Sequence, residues 1–111
     1  MSQVQSVKNA FRLSLIAMVI VTAASAPLLA QGDAESDYNK KCAVCHGKDG
    51  SGNTAKGKSL HVKDVHATVK EPESAMIKIV TDGKGEMDSY KDQFTPEQIK
   101  ALVEYYRSLA K

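Results

Sequence analysis

The chain has 111 residues and a formal net charge of +2, with two cysteines and no tryptophan. That length suits one small domain. The charge excess sits in Lys8 and Arg12; from Gln31 onward 13 basic side chains stand against 13 acidic ones, which excludes the strongly basic, aromatic-interleaved surface that nucleic acid requires.

The first thirty residues read as a leader. Lys8 and Arg12 flank the start of an apolar run, "FRLSLIAMVIVTAASAPLLA", with no charge after Arg12 until Asp33. A basic start, an apolar middle and small residues near the end match a secretory signal. Ala24-Ser25-Ala26 is an A-x-A site that puts Pro27 directly after the cut, whereas cleavage after Ala30 starts the mature chain at Gln31. The expected division is a signal peptide over 1–30 and one domain over 31–111. About 18 apolar residues also suffice to span a thin membrane, so an uncleaved anchor is the alternative, and only then does the chain have a membrane partner. In both readings the domain is exported, to the periplasm or its equivalent. A domain of about 80 residues buries only some 60–65% of its unfolded surface and needs a staple. Cysteines three positions apart close too small a loop to supply one.

Three helical segments follow, and no run alternates as a strand would, so the expected class is all-α. In "DAESDYNKKCAVC" Asp33 suits an N-cap, and Ala34, Tyr38, Cys42 and Cys45 recur on one face. In "EPESAMIKIVTDG" Pro72 suits the first turn, Met76, Ile79 and Val80 make an apolar stripe, and Gly83 ends it. In "TPEQIKALVEYYRSLAK" Thr95 and Gln98 form a capping box with Pro96 in the first turn. Ile99, Leu102, Val103, Tyr106 and Ala110 then follow helical spacing. Between them lie a glycine- and lysine-rich loop, Gly47 to Lys58, and a turn from Asp82 to Tyr90.

Both cysteines fall in "KKCAVCHGKDGSG". A redox Cys-x-x-Cys opens a helix after a strand, but here a helix precedes Cys42. A zinc site from Cys42, Cys45, His61 and His66 fits the finger spacing, yet it leaves His46 and Met87 without a role. Cys-x-x-Cys-His is also the attachment signature for c-type haem. On one helical turn Cys42 and Cys45 point the same way, each within reach of a porphyrin vinyl group, and His46 follows to ligate the iron. The expected cofactor is one haem c, covalent through Cys42 and Cys45.

Candidates for the second axial ligand are Met76, Met87, His61 and His66. Met76 belongs to an apolar stripe and is expected to pack. His61 and His66 lie in a polar, lysine-rich segment and are expected to be solvated. Met87 follows "TDGKGE" with no helical periodicity to explain it, beside two glycines that let the backbone approach a flat ring. His46 and Met87 are therefore the expected iron ligands. A soft thioether favours ferrous iron and raises the reduction potential.

These residues resemble the class I cytochrome c family over essentially the whole mature chain. "CAVCHGKDGSGNT" is similar to its haem-binding stretch, "DGKGEM" to the loop supplying the sixth ligand, and "LVEYYRSL" to its closing helix. The resemblance implies that Ala34 and Tyr38 cross the last helix near Leu102 and Tyr105. The expected haem walls are Tyr38, Leu60, Met76, Ile79, Leu102 and Tyr105. Ala34 stands where the family usually has glycine. Lys58 replaces a proline whose carbonyl takes the proton of the ligand histidine, a task any backbone carbonyl can perform. Asp88 replaces the proline after the methionine, which implies a lower potential. The implied function is exported one-electron carriage between larger redox proteins, with no catalytic constellation of its own. A haem-based gas sensor and an electron-input subunit of an oxidoreductase complex are the alternatives. Lys48, Lys56, Lys58, Lys84 and Lys91 flank the motif and the methionine turn and form a candidate rim for an acidic partner.

Overall fold

The computed structural model describes residues 18–20 and 26–111, so most of the apolar leader lies outside the described residues. Six helices occur among them: α1 (Ala26–Lys41), α2 (Ala43–His46), α3 (Ala55–Ser59), α4 (Val65–Thr68), α5 (Glu73–Asp82) and α6 (Pro96–Ser108). The fold is all-α, and its only β feature among the described residues is a single antiparallel bridge between Lys84 and Met87.

The last helix forms as its sequence dictates. Thr95 Oγ1 accepts from the Gln98 N–H at 3.2 Å while Gln98 Oε1 accepts from the Thr95 N–H at 2.8 Å, satisfying two donors that a helix start leaves orphaned. Ile99, Leu102 and Val103 are buried on one stripe. In α5 Met76 is buried and Gly83 terminates the helix with φ 78°, but Pro72 is the N-cap and Glu73 the first helical residue.

The first helix differs from expectation at both ends. It begins at Ala26, so Asp33 is an interior residue and not a cap. Alanine, leucine and glutamine between Ala26 and Gln31 favour helix, Pro27 is tolerated in a first turn, and Gly32 alone costs only about 1 kcal/mol. Nothing there stops the helix. At the other end the expected single helix through Cys45 breaks at Cys42, where φ is −111°, well away from the helical value near −63°. The Cys45 N–H then bonds to the Cys42 carbonyl, three residues back, at 3.2 Å.

The segment Gly47 to Lys58 is more ordered than its composition suggests. The Thr54 hydroxyl accepts the Gly57 N–H at 2.8 Å, capping α3, and reaches the Val44 and Cys45 carbonyls at 2.8 and 3.0 Å. Gly57 is buried, and a Cβ there would overlap the carbonyls of Cys45 and Gly52. α3 is thereby seated on α2. The core lies where α1 crosses α6. Tyr38, Ala43 and Leu102 are buried together with Phe94, Tyr105, Tyr106 and Leu109 packed round them, and the Tyr38 and Tyr105 rings lie 5.3 Å apart.

Candidate functional site

A cavity of about 590 Å³ opens between α1, α5, α6 and the turn after α5, a size typical of small-molecule and cofactor sites. Tyr38 from α1 and Leu102, Val103 and Tyr106 from α6 make one wall; Ala75, Met76, Ile79 and Val80 from α5 make another. Cys42 and His46 line it, as does Met87, while Lys63, Thr68, Glu71 and Lys84 supply the polar contacts.

Four of the six expected walls, Tyr38, Met76, Ile79 and Leu102, border this cavity, and Leu60 and Tyr105 do not. Leu60 is the C-cap of α3. Tyr105 is one position, about 100° of helix rotation, away from Tyr106, and its ring packs on Tyr38 instead. Tyr106 replaces it, its ring centroid 5.2 Å from His46 in an edge contact and its hydroxyl 2.9 Å from that of Thr68. The helical spacing of α6 carries the signal for Tyr106, which shares a stripe with Leu102 and Val103, whereas Tyr105 lies off it.

Cys42 and Cys45 are both half-buried and free, with no disulfide. Burial pushes the Cys42 thiol up to about 11, the opposite of the depressed value that makes a redox cysteine reactive. The motif also follows a helix, α1, and not the strand after which a redox dithiol opens. Zinc fares no better. His61 and His66 are exposed, His66 Nδ1 pairs with Asp64 at 2.8 Å, and among the described residues no three His, Cys, Asp or Glu side chains gather as a metal cluster.

Burial lowers the pKa of His46, favouring the neutral imidazole that a metal ligand must be. Its Nδ1 is buried without a hydrogen-bond partner. The expected backbone acceptor is not engaged. The Lys58 carbonyl instead takes the His61 N–H at 3.3 Å. A buried polar atom left unpaired costs about 1–3 kcal/mol, and Nδ1 is the atom whose proton a backbone carbonyl would take, which leaves Nε2 as the nitrogen for a metal. An apolar chamber lined by Cys42 and His46 of the Cys-x-x-Cys-His segment, though not by Cys45, with a neutral imidazole on its wall, fits haem.

Met87 is held on the cavity wall by a tight turn. Its N–H and carbonyl exchange two 3.0 Å bonds with Lys84, and Ser89 Oγ donates to the Thr81 carbonyl at 2.5 Å. Gly83 makes this possible: a Cβ there would come within 2.8 Å of the Met87 carbonyl. Asp88 is exposed, so water screens the effect of its carboxylate on the site.

A family model described as cytochrome C oxidase, cbb3-type, subunit III, matches residues 30–105. The chain belongs to this family of c-type cytochromes. The cytochrome is similar to cytochrome c6 of Leptolyngbya boryana, 32% identical over 68 residues that cover 61% of the chain and 79% of that relative. Cytochrome c6-like of Nostoc sp. (strain PCC 7120) is 32% identical over 71 residues, 64% of this chain and 63% of that one. Among solved structures the KustC0563 c-type cytochrome superposes with a TM-score of 0.62 at 30% identity, covering 70% of this chain and 98% of the other. This is therefore a small class I c-type cytochrome, a haem c electron carrier whose cofactor is held covalently by Cys42 and Cys45.

Proposed function

We propose that the cytochrome is an exported one-electron carrier whose iron is ligated by His46 and Met87, and that it catalyses no reaction of its own. The observation that carries the ligand assignment is that His46 and Met87 line one cavity together with Cys42. When bound, haem supplies a one-electron iron couple. The chain tunes it. His46, kept neutral by burial, offers a lone pair, and the Met87 thioether favours the ferrous state. The aliphatic wall of Ala75, Ile79, Val80, Leu102 and Val103 excludes water and disfavours the extra ferric charge. With His46 and Met87 both holding the iron, no position would remain for an exogenous ligand, which argues for carriage over gas binding.

Export is supported by the basic start and apolar run of residues 1–30. Among the described residues no helix is long and apolar enough to cross a membrane. Mature protein is expected to begin at Gln31; Pro27 would mark the earlier cleavage site, and Met1 or Ser2 on membrane-bound protein the anchored form. The partners are larger redox proteins. Lys63 and Lys84 border the cavity, and with the exposed Lys48, Lys56, Lys58 and Lys91 they suit an acidic docking surface. The family description as an oxidase subunit keeps a membrane oxidoreductase among the candidates.

The ligand assignment is tested by visible and near-infrared spectra of Met87→Ala. The weak sulfur-to-ferric-iron band is expected to vanish and exogenous imidazole to bind. If the band persists, Met87 is not the ligand. If the unmutated protein already binds gas at an open site, the sensor reading replaces the carrier.

A further inference from the structure

Two methionines line the cavity, and their sulfurs are used differently. The Met87 sulfur takes no hydrogen bond among the described residues. Met76, 8% exposed, accepts from Arg107 Nη1 at 3.1 Å. The same nitrogen donates to the Glu71 carbonyl at 2.9 Å, just ahead of α5, so one half-buried guanidinium ties the C-terminal turn of α6 to the start of α5. Arginine does not lose its charge in proteins. A thioether is a weak acceptor and a soft ligand, and a lone pair engaged by a permanent cation is less available to a metal. Swinging the Met76 sulfur into the cavity would also strip a hydrogen bond from a charged group, a dearer loss than from a neutral one.

We propose that Arg107 is a positioning residue that selects the axial ligand: it pins the Met76 thioether to the wall and leaves Met87 as the sulfur free to reach the iron. The inference rests on the assignment of Met87 as sixth ligand. Sequence alone hides it, because a basic residue in the last turn of a helix is ordinarily explained by the helix dipole.

The test uses the haem-loaded protein, with imidazole as probe of an open iron position and the near-infrared sulfur-to-iron band as the sign of thioether ligation. Met87→Ala alone is expected to lose the band and bind imidazole. Adding Arg107→Leu frees Met76, so the band is expected to return and imidazole affinity to fall at least tenfold below that of Met87→Ala. Arg107→Gln, too short to hold both groups, is expected to act in the same direction and serves if the leucine variant does not accumulate. Adding Lys100→Ala to Met87→Ala instead cuts the exposed Lys100–Glu104 pair on the same helix, away from the cavity and the guanidinium, and is expected to leave imidazole binding as it was. Equal imidazole affinity with and without Arg107, or the same effect from Lys100→Ala, would overturn the proposal. A band that survives in Met87→Ala with Arg107 intact would overturn the Met87 assignment itself, and the two failures are thereby distinct.

Discussion

Replacing Tyr38 by phenylalanine removes one hydroxyl from the core and tests what ties the attachment segment to α1. The side chain is 2% exposed, and its hydroxyl donates to the Gly47 carbonyl at 2.7 Å, one residue beyond His46. A buried acceptor left with no donor costs about 1–3 kcal/mol. Gly47 keeps a second donor, the Gly50 N–H at 3.1 Å. The loss is therefore one net hydrogen bond, about 1 kcal/mol, while the ring keeps its contacts with Tyr105 and Tyr106 at 5.3 and 6.1 Å. In a domain of this size that lowers the melting temperature by about 4–8 °C. The assay is thermal and denaturant unfolding of haem-loaded protein followed by helical circular dichroism. Alkaline pH gives an independent check. Burial above all, helped by Tyr106, raises the Tyr38 pKa, so the folded chain keeps a proton that the unfolded chain releases near pH 10. Stability from this group is complete below about pH 10 and is lost as pH climbs toward the folded value. The gap between wild type and Tyr38→Phe is expected to narrow over that range. A loss under about 0.5 kcal/mol, or above about 1.5 kcal/mol, refutes the reasoning: the first means the bond is idle, the second that the Gly50 donor does not compensate.

Cys42→Ser with Cys45→Ser is expected to abolish covalent haem on a denaturing gel and, since so small a core cannot stand alone, most of the helical circular dichroism; a well-folded haem-free double variant would contradict both. Gly83→Ala forces alanine into φ 78°, ψ 165°, a glycine-only region costing about 1–3 kcal/mol, and its Cβ would press on the Met87 turn. Its sulfur-to-iron band is expected to weaken along with its stability, and an unchanged band would show that the turn does not hold the ligand. Met76→Ala is expected to cost about 2–5 kcal/mol as a buried truncation while keeping the band. Charge reversal at Lys84 is expected to slow association with an acidic redox partner without changing the haem spectrum. Association in the wild type should slow as the Debye length shrinks from about 30 Å at 0.01 M salt to about 8 Å at 0.15 M. Indifference to salt would point to an apolar docking patch.

The parts of the molecule legible in the sequence were those set by local chemistry. Thr95, Pro96 and Gln98 announce α6 because each satisfies or spares an orphan backbone donor within one turn. Gly83 ends α5 because only glycine takes its backbone angles. Cys42, Cys45 and His46 announce their cofactor by spacing. What escaped depends on contacts distant in the chain. Asp33 looks like a cap, but whether a helix starts there depends on residues before it that favour helix equally. The Thr54 cap of α3 works through carbonyls in α2, so composition alone read that stretch as a loop. Leu60 is taken up in closing α3, and a single step of helix rotation puts Tyr106 at the cavity in Tyr105's stead. Arg107 was invisible because its partners, Glu71 and Met76, lie a whole helix away in sequence.

The crossing of α1 and α6 joins the beginning and the end of the domain. While the chain is being made, Tyr38 emerges early and Tyr105 and Tyr106 almost last, so the central packing cannot form on a partial chain. The cysteine pair lies just beyond α1 and stays reachable for as long as α6 is missing. Time is thus built into the topology: until α6 has been made and packed on α1, both the Tyr38 core and the cavity wall of Leu102, Val103 and Tyr106 are missing. Removing the final turns of α6 is a change at the surface of the sequence but at the centre of the fold.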